Sequence, residues 1–172
     1  ANSDISQLTF ALIEDEELRD IYKTTSEERL QKMAAALLHL EKHPQDKTAL
    51  AELLREAHTL KGDSRSAGVE HVETLSHALE EILGSIKRQD TNLTPQLFDR
   101  LYQGLDTIGL LVREAVTGQA SGVDTAEALD QLLTAFAQPQ EQQLSPPTEI
   151  APLPTAIPAL VTQEPSSLPS EV

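Results

Sequence analysis

Eight of the ten prolines in this 172-residue chain lie within residues 138–172, and the 137 residues before them contain just Pro44 and Pro95. Proline in a helix interior removes a backbone donor and clashes with the preceding turn, at a cost of about 3 kcal/mol or more. The long proline-free stretches can therefore be helical, and the two isolated prolines read as punctuation. Pro44 ends a helix. Thr94-Pro95 opens one, a capping hydroxyl followed by proline at the first helical position. The apolar residues are mostly Leu and Ala, and the only aromatics are Phe10, Tyr22, Phe98, Tyr102 and Phe136. Leu and Ala favour helix, and β-branched or aromatic runs are missing. An all-α fold is expected.

Apolar spacing and stop signals predict five helices between residues 15 and 137. The first runs from about Glu16 to Lys42, with Leu18, Ile21, Tyr22, Met33, Leu37 and Leu40 at helical spacing. The second spans about 46–67 and is closed by Gly68; the third covers about 69–88. The fourth runs from Pro95 to Gly118. The fifth starts at Asp124, with Glu127 three residues on as a capping-box pair, and ends near Ala137. Short connections between long helices favour an antiparallel bundle, here a four-helix core plus a fifth, C-terminal helix. Residues 1–14 form an N-terminal extension, in which 4–13 is a candidate short helix through Ile5, Leu8 and Leu12. The Pro-rich segment 138–172 carries four Glu and no Lys or Arg. It has no apolar periodicity, so it reads as a disordered acidic linker or tail.

Charge narrows the function classes. The net charge is −15, and residues 1–137 hold 13 basic against 24 acidic side chains. Such a surface repels phosphate backbones and anionic membranes, so nucleic acid is not an expected partner. Without cysteine there is no disulfide framework, thiolate metal site or cysteine nucleophile. No apolar run approaches the roughly 18 residues of a membrane span, and the N-terminus lacks a signal pattern. No membrane insertion is expected, and the expected location is the cytoplasm.

The chemistry-bearing stretch is Ala57-His58-Thr59-Leu60-Lys61-Gly62. At about 100° per residue, Leu50, Leu53, Ala57, Leu60 and Ser64 make the buried stripe of the second helix. His58 lies about 120° from its centre, at the solvent edge. Leu54, Arg55, Lys61, Gly62 and Arg65 share its face, so three cations gather on an otherwise acidic domain. A lone His-x-x-Lys is common on solvated helix faces. Gly62 adds weight, because glycine inside a helix costs roughly 0.5–1 kcal/mol relative to alanine. Leu54 adds a partly exposed apolar residue one turn before His58, as a docking surface requires. On the third helix Val72, Leu75, Leu79, Ile82, Leu83 and Ile86 face inward. Glu80 stands at the edge of that stripe, within reach of a neighbouring helix, and His77 points away.

Ala57-His58-Thr59-Leu60-Lys61-Gly62, with Ser64, Gly68 and His77-Ala78-Leu79-Glu80, resembles the histidine-containing phosphotransfer (HPt) domain. The closest subtype is the N-terminal domain of CheA-type chemotaxis histidine kinases, and the resemblance covers roughly 15–137. It implies that His58 accepts a phosphoryl group on Nε2, that Glu80 orients the imidazole and that Lys61 neutralises phosphate. His77 would belong to the surrounding hydrogen-bond network. Leu54, Arg55, Gly62 and Arg65 would form the docking face, with Gly62 leaving room for the partner. Asp63 departs from the family pattern, where a small residue is usual, with consequences for phosphate retention or partner choice.

The resemblance further implies a phosphocarrier of a two-component phosphorelay, a fragment of a CheA-like kinase. Its partners would be a histidine kinase ATP-binding domain, in cis or in trans, and a response-regulator receiver whose aspartate takes the phosphoryl group. No glycine-rich phosphate loop or ATP-binding box occurs, so ATP and magnesium are expected on partner domains and no cofactor or metal on this one. Two alternatives remain. One is a docking module of the same shape that accepts no phosphate. The other is a metal-binding bundle using His39, His43, Glu73, His77 or Glu80. The Glu-x-x-His pairs of di-iron bundles are absent, and His39 and His43 complement the negative end of their helix.

Overall fold

The computed structural model describes residues 12–137, and the expected 138–172 linker or tail lies outside them. Among the described residues all regular structure is helical: α1 (Glu16–Lys42), α2 (Lys47–Ala67), α3 (Glu70–Lys87), α4 (Pro95–Thr117) and α5 (Thr125–Ala137). Polar caps start most of them. Asp15 accepts from the Leu18 amide, Asp46 from Thr48 and Ala49, and Thr94 from Leu97 ahead of Pro95. Asp124 likewise accepts from Glu127 N at 3.1 Å, the predicted cap of α5. Each such cap satisfies amides that the helix itself leaves unpaired.

The α2–α3 corner is tight. Gly68 adopts φ 74°, a left-handed conformation costly for side chains but not for glycine. Its amide bonds to Arg65 O and the next, Val69, to Ser64 O at 2.8 Å. Two residues thus reverse the chain and lay α3 along α2.

Cross-links fix the directions. Tyr22 meets Ser64, Arg29 meets Glu56 and Asp63, and His39 meets Asp46, so α1 and α2 are antiparallel. His58 meets Glu80 while Arg65 nears Glu73, so α2 and α3 are antiparallel too. Tyr102 bonds to Glu41 and the Gly109 position faces Leu30, which sets α4 against α1. α5 packs on α3 and α4. The expected four-helix ring with a fifth helix is what forms.

The core runs through all five helices. Met33, Leu37 and Leu40 of α1 join Leu53, Ala57 and Leu60 of α2, Leu75, Leu79 and Ile82 of α3, Leu101 and Ile108 of α4, and Leu132 of α5. Each large side chain so buried contributes about 1.5–3 kcal/mol. A Cβ at Gly104 would lie 3.4 Å from side-chain atoms of both Leu79 and Leu132, so its absence lets α4 approach both neighbours.

The candidate short helix 4–13 falls mostly outside the described residues. Its last two, Leu12 and Ile13, are not helical. The buried Ile13 donates its amide to Ala115 O at 3.0 Å, and a backbone committed to the end of α4 cannot continue a helical ladder there.

Candidate functional site

The site lies where α2 runs beside α3. Ala57 and Leu60 are fully buried, and the α2 rotation that buries them leaves the intervening His58 at the surface, its side chain 66 % exposed. On α3, burial of Leu79 and Ile82 places Glu80 at the boundary between core and solvent. Nδ1 of His58 lies 2.7 Å from Oε1 of Glu80. A carboxylate accepts and does not donate, so the contact places a ring proton on Nδ1 and, in the neutral imidazole, leaves the lone pair on Nε2.

Lys61, one turn after His58, brings Nζ to 2.6 Å from Oε2 of Glu80. The two oxygens of one carboxylate therefore serve the ring and the ammonium separately. Burial works to raise the Glu80 carboxyl, yet the Lys61 and His58 contacts outweigh it and hold the group below its ordinary range. It stays ionised at neutral pH, the state that orients a ring and stabilises positive charge on it.

The other sequence candidates fall around this pair. Leu54, Arg55, His58, His77, Glu80 and Lys87 line an open basin of about 530 Å³ between the two helices. Leu54 is half-buried, and its outer part contributes apolar surface there. Gly62 is exposed, and a Cβ added to it would meet nothing within 4 Å, so the space beside the ring is open. Arg65 is exposed, with Nε 3.8 Å from Glu73. His77 lines the same basin as His58, and its Nε2 lies 3.5 Å from Glu81, one turn along α3.

Asp63 also has a different surrounding from the one its sequence position suggests. Its Oδ2 receives Nε of Arg29 at 2.7 Å. It lies on the α1 side of α2, away from the face that carries His58, and its charge is matched by a guanidinium. Sequence reasoning missed that guanidinium and also Glu56, which is 4 % exposed and bonded to Nη1 of Arg29 at 3.0 Å. A glutamate bordering the buried stripe signals that a partner exists. Which residue supplies it depends on the helix packed alongside.

Of the residues considered for a metal, His39 bonds to Asp46 at 2.7 Å and stacks obliquely on His43. Glu80 is committed to His58 and Lys61. Among the described residues no cluster of three or more His, Asp or Glu side chains is arranged to hold an ion.

Residues 17–139 match the sequence profile of the Hpt domain. The chain belongs to the Hpt domain family. The match takes in all of α2 and α3 and so the whole His58–Glu80 site. This Hpt domain is 33 % identical over 134 residues to the chemotaxis protein CheA of Bacillus subtilis (strain 168), covering 73 % of this chain and 20 % of that one. It is 35 % identical over 96 residues to CheA of Halobacterium salinarum, covering 56 % and 14 %. The chain thus spans about a fifth or less of these relatives' length.

Solved structures agree with the fold. The solution structure of the histidine phosphotransfer domain of CheA superposes with a TM-score of 0.65 at 30 % identity, covering 75 % of this chain and 98 % of that one. The phosphorylated P1 domain of CheA3 from R. sphaeroides, crystallised in complex with CheY6, gives a TM-score of 0.63 at 26 % identity, covering 72 % and 98 %. Among the described residues of this Hpt domain, no helix is long and apolar enough to cross a membrane.

Proposed function

We propose that this Hpt domain is the phosphocarrier of a chemotaxis-type phosphorelay, with His58 as the phosphoacceptor. One observation carries the assignment: Glu80 holds Nδ1 of an exposed ring at 2.7 Å. That contact selects the tautomer with a free Nε2 lone pair, which is the nucleophile the reaction needs.

The transfer is written in two steps. Nε2 of His58 attacks the γ-phosphorus of ATP held by a kinase domain, the bond to the ADP oxygen breaks, and ADP leaves. The ring keeps its Nδ1 proton and gains positive charge, which the Glu80 carboxylate stabilises. An aspartate oxygen of a receiver then attacks the same phosphorus, the N–P bond breaks, and the imidazole returns to its neutral state. Little covalent chemistry is asked of the carrier, since phosphoryl transfer depends chiefly on position and charge. Lys61, tethered beside the ring by Glu80, supplies a cation for the phosphoryl oxygens. ATP and magnesium belong to the partner domains, and the reaction belongs to the cytoplasm.

Leu54, Arg55, Gly62 and Arg65 form the face on which kinase and receiver dock in turn. The likeness to a P1 domain crystallised with CheY6 supports the receiver as the acceptor. The family match and the CheA relatives support the kinase as the donor.

The test is phosphorylation of the purified chain with Mg-ATP and a CheA kinase domain. The expected product is an acid-labile, alkali-stable phosphate, lost in His58→Gln and chased by a magnesium-loaded receiver. Label in His58→Gln equal to that of the unmodified chain removes the assignment.

A further inference from the structure

Glu56 is a buried carboxylate two positions before His58 that contacts neither the ring nor Lys61. Burying an ionised carboxylate is unfavourable unless both oxygens find cations or donors. Here both do. Oε2 takes Nη1 of Arg29 at 3.0 Å, and Oε1 faces Nη2 of Arg55 at 3.5 Å. Arg29 also reaches Asp63, so α1 grips α2 on both sides of His58 in sequence.

Arg55 differs from Lys61 in its freedom. Lys61 has its ammonium 2.6 Å from Glu80, with its side chain 26 % exposed. Arg55 lines the basin with His58, its contact to Glu56 is longer, and its side chain is 71 % exposed. A guanidinium has five donors in a rigid fork, so one edge can face Glu56 while the rest meets a phosphate or carboxylate. Tethering a long side chain before a partner arrives also removes part of the entropy cost of ordering it during binding.

We propose that Arg29, Glu56 and Arg55 form a positioning relay, in which Arg29 anchors the buried Glu56 and Glu56 holds the Arg55 guanidinium beside His58, where it contacts anionic groups of the kinase domain that phosphorylates the ring. Arg55 is the contacting residue; Glu56 acts through it. The relay rests on the reading of His58 as phosphoacceptor, and the experiment separates the two.

The full chain and its Arg55→Gln, Glu56→Gln and doubly substituted variants are phosphorylated with Mg-ATP by Bacillus subtilis CheA lacking its own phosphotransfer domain. Initial rates are followed against the concentration of the chain. Arg55→Gln is expected to raise KM about fivefold with kcat unchanged, as loss of one rim charge does. Glu56→Gln is expected to raise KM in the same direction, and the double variant to be no worse than Arg55→Gln, because the second change acts through the first. A Glu56 of structural importance alone lowers Tm while leaving KM untouched, or adds its effect to that of Arg55→Gln. Either result overturns the relay. Should Glu56→Gln fail to fold, Glu56→Asp keeps the charge for Arg29 while shortening the tether, and the same KM shift is expected of it. An unchanged KM in the exposed Arg55→Gln variant overturns the proposal by itself. Label retained in His58→Gln means that the phosphoacceptor reading has failed; label lost there with an unchanged KM in Arg55→Gln means that only the relay has.

Discussion

His58 and Glu80 lie on different helices, 22 positions apart in the chain, yet Nδ1 of the ring is 2.7 Å from Oε1 of the carboxylate. The contact depends on the two-residue corner after α2, which lays α3 back along it. Replacing Glu80 by Gln keeps the shape and removes the charge. A charge-assisted hydrogen bond contributes about 1.5–3 kcal/mol, so the phosphorylation rate of Glu80→Gln is expected to fall roughly 10- to 100-fold. Single-turnover labelling at saturating kinase measures it. A rate within twofold of the unmodified chain would show that the carboxylate does not orient the ring.

Gly62 separates stability from docking. A Cβ there meets nothing within 4 Å, so Gly62→Ala is sterically free in the isolated domain. Removing a glycine from a helix interior stabilises by about 0.5–1 kcal/mol, and Tm is expected to rise accordingly. If the open space is reserved for a partner, the same variant shows a raised KM for kinase or receiver. A higher Tm with unchanged transfer kinetics means that the partner does not approach there.

Asp46 holds together the end of the bundle away from the site. Oδ1 caps α2 through Thr48 N and Ala49 N, while Oδ2 meets His39 at 2.7 Å. Asp46→Ala is expected to cost about 1 kcal/mol from the cap, read as a lower midpoint in urea. Labelling of His58 is expected to be unaffected, since the cap lies more than three helical turns away along α2.

Tyr102 gives the domain a sensitivity to alkali. Its hydroxyl donates to Oε2 of Glu41 at 2.9 Å, and burial together with that carboxylate pushes the phenol up to about 12, against 10.0 for a free tyrosine. Above pH 10 the unfolded chain loses this proton while the fold keeps it. The contribution is therefore complete below pH 10 and is lost as pH rises toward 12. Tm measured from pH 9 to 12 is expected to fall more steeply for the unmodified chain than for Tyr102→Phe.

Much of the bundle was legible because its signals are local. Thr94-Pro95, Asp124 with Glu127, and Gly68 mark helix ends through contacts within a few residues, and each occupies the predicted place. The inward faces of α2 and α3 followed from the 3.6-residue period, as did the exposure of His58. Ile13 was harder to read: its amide is fixed by Ala115, more than a hundred residues later.

By itself, the sequence determined the apolar faces of α2 and α3, the glycine stops at Gly68 and Gly118, and that a histidine stands beside cations on a polar face; on α1 the same spacing included Leu18 and Ile21, which are exposed. Those properties depend on residue type and on neighbours three or four positions away. Tertiary structure decided which charges meet. It gave Glu80 to His58 and Lys61, turned His77 toward Glu81, and matched Asp63 and Glu56 to Arg29. Charged side chains at helix edges choose partners by distance across an interface. Distances between helices are fixed only once the core beneath them has packed.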